Sequence, residues 1–72
     1  MEPPKIKRIR KTGYERRVIE MAEYTEVYKL ADSLSEMCQV DSAGYYGAES
    51  IPYVTIEADD DTLERIKHDF FS

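Results

Sequence analysis

Cysteine is almost absent from this chain: Cys38 stands alone among 72 residues. One thiol excludes an internal disulfide and any cysteine-rich zinc site. Histidine is equally scarce, and with His68 alone neither a metal site nor a cofactor is expected. Tryptophan is missing, and three glycines are too few for a Gly-rich phosphate loop. No apolar run approaches the roughly 20 residues that span a bilayer, and the leading residues carry no apolar signal region. A single unpaired thiol suits a reducing compartment. The expectation is a cytoplasmic protein without membrane contact.

What the chain does have is charge, unevenly placed. Lys5, Lys7, Arg8, Arg10, Lys11, Arg16 and Arg17 face only Glu2 and Glu15 within the first seventeen positions, a local balance of +5. The rest holds Lys29, Arg65 and Lys67 against thirteen carboxylates, a balance of −10. The overall −5 disfavours a general nucleic-acid binder, although a basic segment can act locally. At 72 residues the chain is one small α+β domain. Such a chain buries only roughly 60% of its unfolded surface, so a homodimer or standing contact with a partner is the expected supplement.

Periodicity orders the chain. Residues 1–4 read as a frayed lead-in, since Pro3 and Pro4 donate no backbone hydrogen bonds. Lys5–Lys11 alternates around Ile6 and Ile9, and Thr12-Gly13 signals a turn, so a hairpin from Lys5 through Arg17 competes with a free basic arm. Thr25–Cys38 is a helix, because Val27, Leu30, Ala31, Leu34, Met37 and Cys38 fall on one stripe, with Thr25 as its N-cap. The stripe loses phase at Tyr24. Arg17–Tyr24 is therefore read as a strand in preference to the start of one long helix. Gln39–Tyr46 and Ile51–Ala58 are strands joined by Gly47-Ala48-Glu49-Ser50. A second helix spans about 62–71, with Asp61 and Glu64 as its capping box.

The order strand–helix–strand–strand–helix predicts a ferredoxin-like split βαβ variant: a small antiparallel sheet with two helices on one face. Lys5–Lys11 would replace the missing last strand. The run from Ile51 to Asp69 resembles the third strand and second helix of subtilisin-type propeptides and their free-standing inhibitor relatives, through Tyr53, Val54, Leu63, Glu64, Ile66 and Asp69. That resemblance implies the same fold and protease inhibition.

No set of residues suggests catalysis. His68 lacks a second histidine, serine or carboxylate at a diagnostic spacing, since Asp69 beside it is expected to point elsewhere on a helix, and Cys38 ends an apolar stripe as a small hydrophobe. Binding is the better expectation. The expected contacts are Tyr45, Tyr46 and Tyr53, with Tyr45 and Tyr53 sharing the sheet face away from Val54 and Ile56. Orientation would come from Asp59, Asp60 and Asp61 or from the basic strand. These three aspartates lack the turn glycine of a calcium loop. They read either as the acidic first turn of a helix or as part of a phosphate-like surface for a DNA-binding partner. The sequence thus predicts a small non-enzymatic regulator, inhibitor or adaptor of another protein. The alternative is a nucleic-acid module using Lys5, Lys7, Arg8, Arg10, Arg16 and Arg17.

Overall fold

A computed structural model describes residues 3–71. Its elements run β1 (Lys5–Lys11), β2 (Arg16–Ala22), α1 (Val27–Leu34), β3 (Gln39–Tyr46), β4 (Ile51–Glu57) and α2 (Asp60–Phe70). The four strands form one antiparallel sheet in the order β1-β2-β4-β3. The basic segment is thus a strand and not a free arm. A three-residue turn closes its hairpin, the Thr12 N–H donating to the Arg16 carbonyl at 2.9 Å. Met1 and Glu2 of the expected lead-in lie outside the described residues; Pro3 is exposed and Pro4 is buried, so the fraying expected over 1–4 does not reach Pro4.

The sheet has one greasy face, set by alternation. Ile19 and Met21 on β2 and Val54 and Ile56 on β4 all point to it, and each is at most 1% exposed. Val27, Leu30 and Leu34 of α1, Leu63 and Ile66 of α2, and Phe71 just beyond α2 join them in a single cluster. Both helices therefore cover the same face. Ile6 and Ile9 carry the packing out to β1. Burying a side chain of this size contributes about 2 kcal/mol, so the four central sheet residues and the helix stripes hold the domain together.

Four elements differ in their bounds from the sequence reading. The least of them is β4, which ends at Glu57 and not at Ala58, and α2 runs Asp60–Phe70 where about 62–71 was expected. The strand expected over Arg17–Tyr24 ends at Ala22, because Glu23 takes a left-handed conformation (φ 44°) that strand pairing cannot continue. The first helix is eight residues, not fourteen: Thr25 does not cap it, Glu26 occupies the N-cap without a side-chain bond, and the chain unwinds into a turn after Leu34. The second helix is capped by Asp59, not by the Asp61–Glu64 pair. Its carboxylate accepts the Thr62 N–H at 2.8 Å, which holds that carboxyl below its ordinary range.

Candidate functional site

The face of the sheet opposite the helices is uncovered, and it carries the candidate site. Register decides which side chains meet there. Glu20 lies opposite Arg8 on one side and Tyr53 on the other; Val18 lies between Arg10 and Thr55; Tyr46 is opposite Ile51. Tyr46 and Tyr53 pack edge to face with ring centres 5.4 Å apart. Arg10, Val18, Tyr46, Tyr53 and Thr55 line a shallow depression of about 290 Å³.

Glu20 is the centre of this face. It occupies an outward position of a central strand, yet only 2% of its side chain is exposed. Arg8 Nη2 donates to both carboxylate oxygens at 3.3 and 3.0 Å, and Arg10 Nε donates at 2.9 Å. The Tyr46 hydroxyl and these guanidinium groups hold the Glu20 carboxyl down at about 2, outweighing its burial. Reciprocally, the carboxylate pushes the Tyr46 phenol above its ordinary value. The cluster ties β1, β2 and β3 together across the sheet. Sequence reading missed Glu20, which fell in the segment whose helix or strand character was ambiguous. A usable signal existed: once Thr12-Gly13 is taken as a turn, Arg8 and Arg10 fall beside position 20.

Tyr45, expected beside Tyr53, is on the other face. The four-residue turn after Tyr46 makes Tyr46 the partner of Ile51, so Tyr45 pairs with Pro52 on the helix side. There its ring meets Tyr28 of α1 edge-on at 6.2 Å. The two tyrosine pairs sit close about Gly44: a Cβ at that position would come within 3.4 Å of the Tyr28 hydroxyl and 3.7 Å of the Tyr53 ring. Tyr28 thus bends round the outer edge of β3. The resulting aromatic patch spans both faces at one side of the sheet, with Tyr28, Tyr45 and Tyr46 exposed and Tyr53 half-buried.

The other predicted residues are less available than their charges suggested. Arg17 is buried on the core face, where it donates to the Ala58 carbonyl at 2.9 Å and to Asp60 at 2.6 Å. Its guanidinium is thus engaged within the chain. Arg16 is paired with Asp41 at 3.3 Å and Glu57 at 3.8 Å. Asp59 is a helix cap and Asp60 an anchor for Arg17, which leaves Asp61 the one aspartate of the cluster without a structural partner among the described residues. These aspartates lie at the start of α2, apart from the tyrosine patch. Among the described residues no group of three or more His, Cys, Asp or Glu could hold a metal.

His68 and Cys38 complete the residues that the sequence singled out. His68 Nδ1 lies 3.1 Å from Asp69 Oδ1, although adjacent helical residues were expected to diverge, but both sit at the surface with no third group. Cys38 is half-buried with its sulfur 3.6 Å from the Leu34 carbonyl oxygen. Burial pushes its thiol up, away from a reactive thiolate. No helix among the described residues is long and apolar enough to cross a membrane. Comparison with family models, curated proteins and solved structures finds no match for this chain.

Proposed function

We propose that this protein is a small, non-enzymatic binding module that regulates, inhibits or bridges a larger protein, docking through its open sheet face. One observation carries the reading: the face lacking a helix combines two tyrosines with two half-exposed arginines around a buried counter-ion. Tyrosine and arginine are the side chains that interfaces favour, because each covers much area at low conformational cost. The fold proposed to carry this face is ferredoxin-like. β4 lies between β2 and β3, which α1 connects, as in a split βαβ unit, and β1 takes the flank that a last strand would fill.

The test is direct. Wild type and a Tyr46→Ala/Tyr53→Ala variant are used to capture partners from lysate, and hydrogen exchange maps the footprint of any captured protein. The expected result is a partner lost on substitution, whose footprint covers β2 and β4 outward positions. Equal recovery by both proteins removes the open face from the interface.

A second reading has its own support, since Arg8, Arg10, Tyr46 and Tyr53 on one sheet resemble a base-stacking platform. Charge balance weighs against it. On this face Arg8, Arg10 and Arg16 are set against Glu20, Glu57 and Asp41, which leaves Lys5 at its margin and no broad positive surface for a polyanion. The reading requires retention of single-stranded nucleic acid at low salt with a steep loss at moderate salt; no retention at low salt ends it.

A further inference from the structure

The seven cations of the N-terminal segment divide into two groups. All four arginines are paired within the chain: Arg8 and Arg10 with Glu20, Arg16 with Asp41 and Glu57, and Arg17 with Asp60. The three lysines, Lys5, Lys7 and Lys11, are exposed and have no carboxylate partner among the described residues. All three belong to β1, and β1 is an edge strand. The positive potential left over after folding therefore lines one backbone edge.

The two edges of the sheet are not alike. β3, at the far side, is packed by α1 and overhung by Tyr28. Among the described residues β1 has no strand on its outer side. Its hydrogen-bonding pattern follows from the turn. Thr12 and Arg16 form the closing bonded pair, and the register runs unbroken from there to Arg8 opposite Glu20. Antiparallel strands alternate bonded and non-bonded pairs, so Ile9 and Lys11 turn both N–H and C=O outward. These are the groups that an added strand would use.

Side chains along the same edge alternate in character. Lys5, Arg8 and Arg10 fall on the open face, while half-buried Ile6 and Ile9 fall on the helix face. A strand laid alongside would gain from acidic residues on the first face and apolar residues on the second. A second copy of β1 offers the apolar residues but not the acidic ones, because every charged residue in Lys-Ile-Lys-Arg-Ile-Arg-Lys is positive. The lysines discourage self-pairing and leave a preference for the opposite sign.

We propose that the outer edge of β1 accepts an extended segment of a partner protein, alternating acidic and apolar residues, as a fifth strand of the sheet. This rests on the reading of the chain as a binding protein but uses a different surface from Tyr46 and Tyr53. Main-chain bonds at Ile9 and Lys11 supply the attachment, and alternate side chains supply selectivity.

The probe is a capped peptide of the length of β1 that alternates Glu with Val, titrated into the full chain and followed by backbone NMR and amide exchange. Binding with new protection at the Ile9 and Lys11 amides supports the proposal. N-methylation of the peptide backbone, or scrambling of its alternation at constant composition, is expected to weaken binding about tenfold or more. Joint substitution Lys5→Glu, Lys7→Glu and Lys11→Glu, with the fold checked by circular dichroism, is expected to abolish it. Capture of a partner by the open face is read separately, with the Tyr46→Ala/Tyr53→Ala variant against wild type, so failure of this edge is distinguishable from failure of that face. The proposal is overturned by no binding, by binding without amide protection, or by equal binding of the scrambled peptide or of a single-stranded oligonucleotide. It is also overturned if the unliganded protein already protects Ile9 and Lys11 in a concentration-dependent way, since a second copy would then hold the edge.

Discussion

Arg17 shows how much a single residue's meaning depends on which way its strand faces. In the sequence it is one of seven clustered cations. In the fold it is 6% exposed and its guanidinium joins the end of β4 to the start of α2 through Ala58 and Asp60. The two ends of that ion pair are unequal, because the Asp60 side chain is 89% exposed. Arg17→Ala strands the Ala58 carbonyl and empties part of the core face, so it should cost about 3 kcal/mol. Asp60→Asn keeps a surface acceptor and should cost less than about 1 kcal/mol. Urea denaturation of both variants measures the difference, and equal losses would refute the asymmetry. The β3–β4 turn offers a second contrast. Gly47 (φ 77°) and Ser50 (φ 52°) both occupy the left-handed region. Gly47→Ala should destabilise and Ser50→Gly should stabilise, each by about 1 kcal/mol. Thermal unfolding shifts of opposite sign would bear this out. The turn was legible from Gly47, but nothing in a serine announces a positive φ.

Elements were more legible than the contacts between them. Lys5–Lys11 and Gln39–Tyr46 are strands over the expected residues, since alternation and the Thr12-Gly13 signal are local properties. The helix bounds were not legible in the same way. The apolar stripe of α1 continues through Met37 and Cys38, but those residues reach the core from a turn after the helix has ended. Cross-strand register is a pairing property that one strand's pattern does not contain. A slip of one position moves a side chain to the other face, and that is what separates Tyr45 from Tyr53. Register also produces the Glu20 cluster, which links three strands and makes their association depend on pH. The Glu20 carboxyl is lowered from its ordinary 4.5 to about 2. A group with a depressed folded value stabilises the fold above its unfolded value, and that stability drains away as pH falls from about 4.5 to about 2. Glu20→Gln should therefore be less stable than wild type at neutral pH, with the gap closing by about pH 2. Denaturation midpoints of the two proteins across that range decide it; a constant gap would mean that the carboxylate charge is not the cause.

At the scale of the whole molecule, the contrast between a basic start and an acidic remainder largely cancels inside the fold. The arginines of the first segment find carboxylates of β2, β3, β4 and α2, so the charge split is in part an assembly device for the sheet. This predicts that the segment cannot be removed. Truncation of residues 1–11 would take Ile6 and Ile9 from the core cluster, strip Arg8 and Arg10 from Glu20, and turn β2 into an exposed edge. Two half-buried isoleucines contribute about 1 kcal/mol each. A domain of this size has only about 5 kcal/mol in hand. The loss of both, together with the whole β1–β2 ladder and the ion pairs of Glu20, should abolish cooperative unfolding and collapse the amide dispersion. A free basic arm would give the opposite result: a truncated chain with the spectrum and melting temperature of the parent. Charge reversal at Lys5, Lys7 and Lys11 should leave the fold intact, because those lysines hold no internal partner among the described residues. The two experiments together distinguish the cations that build the sheet from those left at its edge for something else to meet.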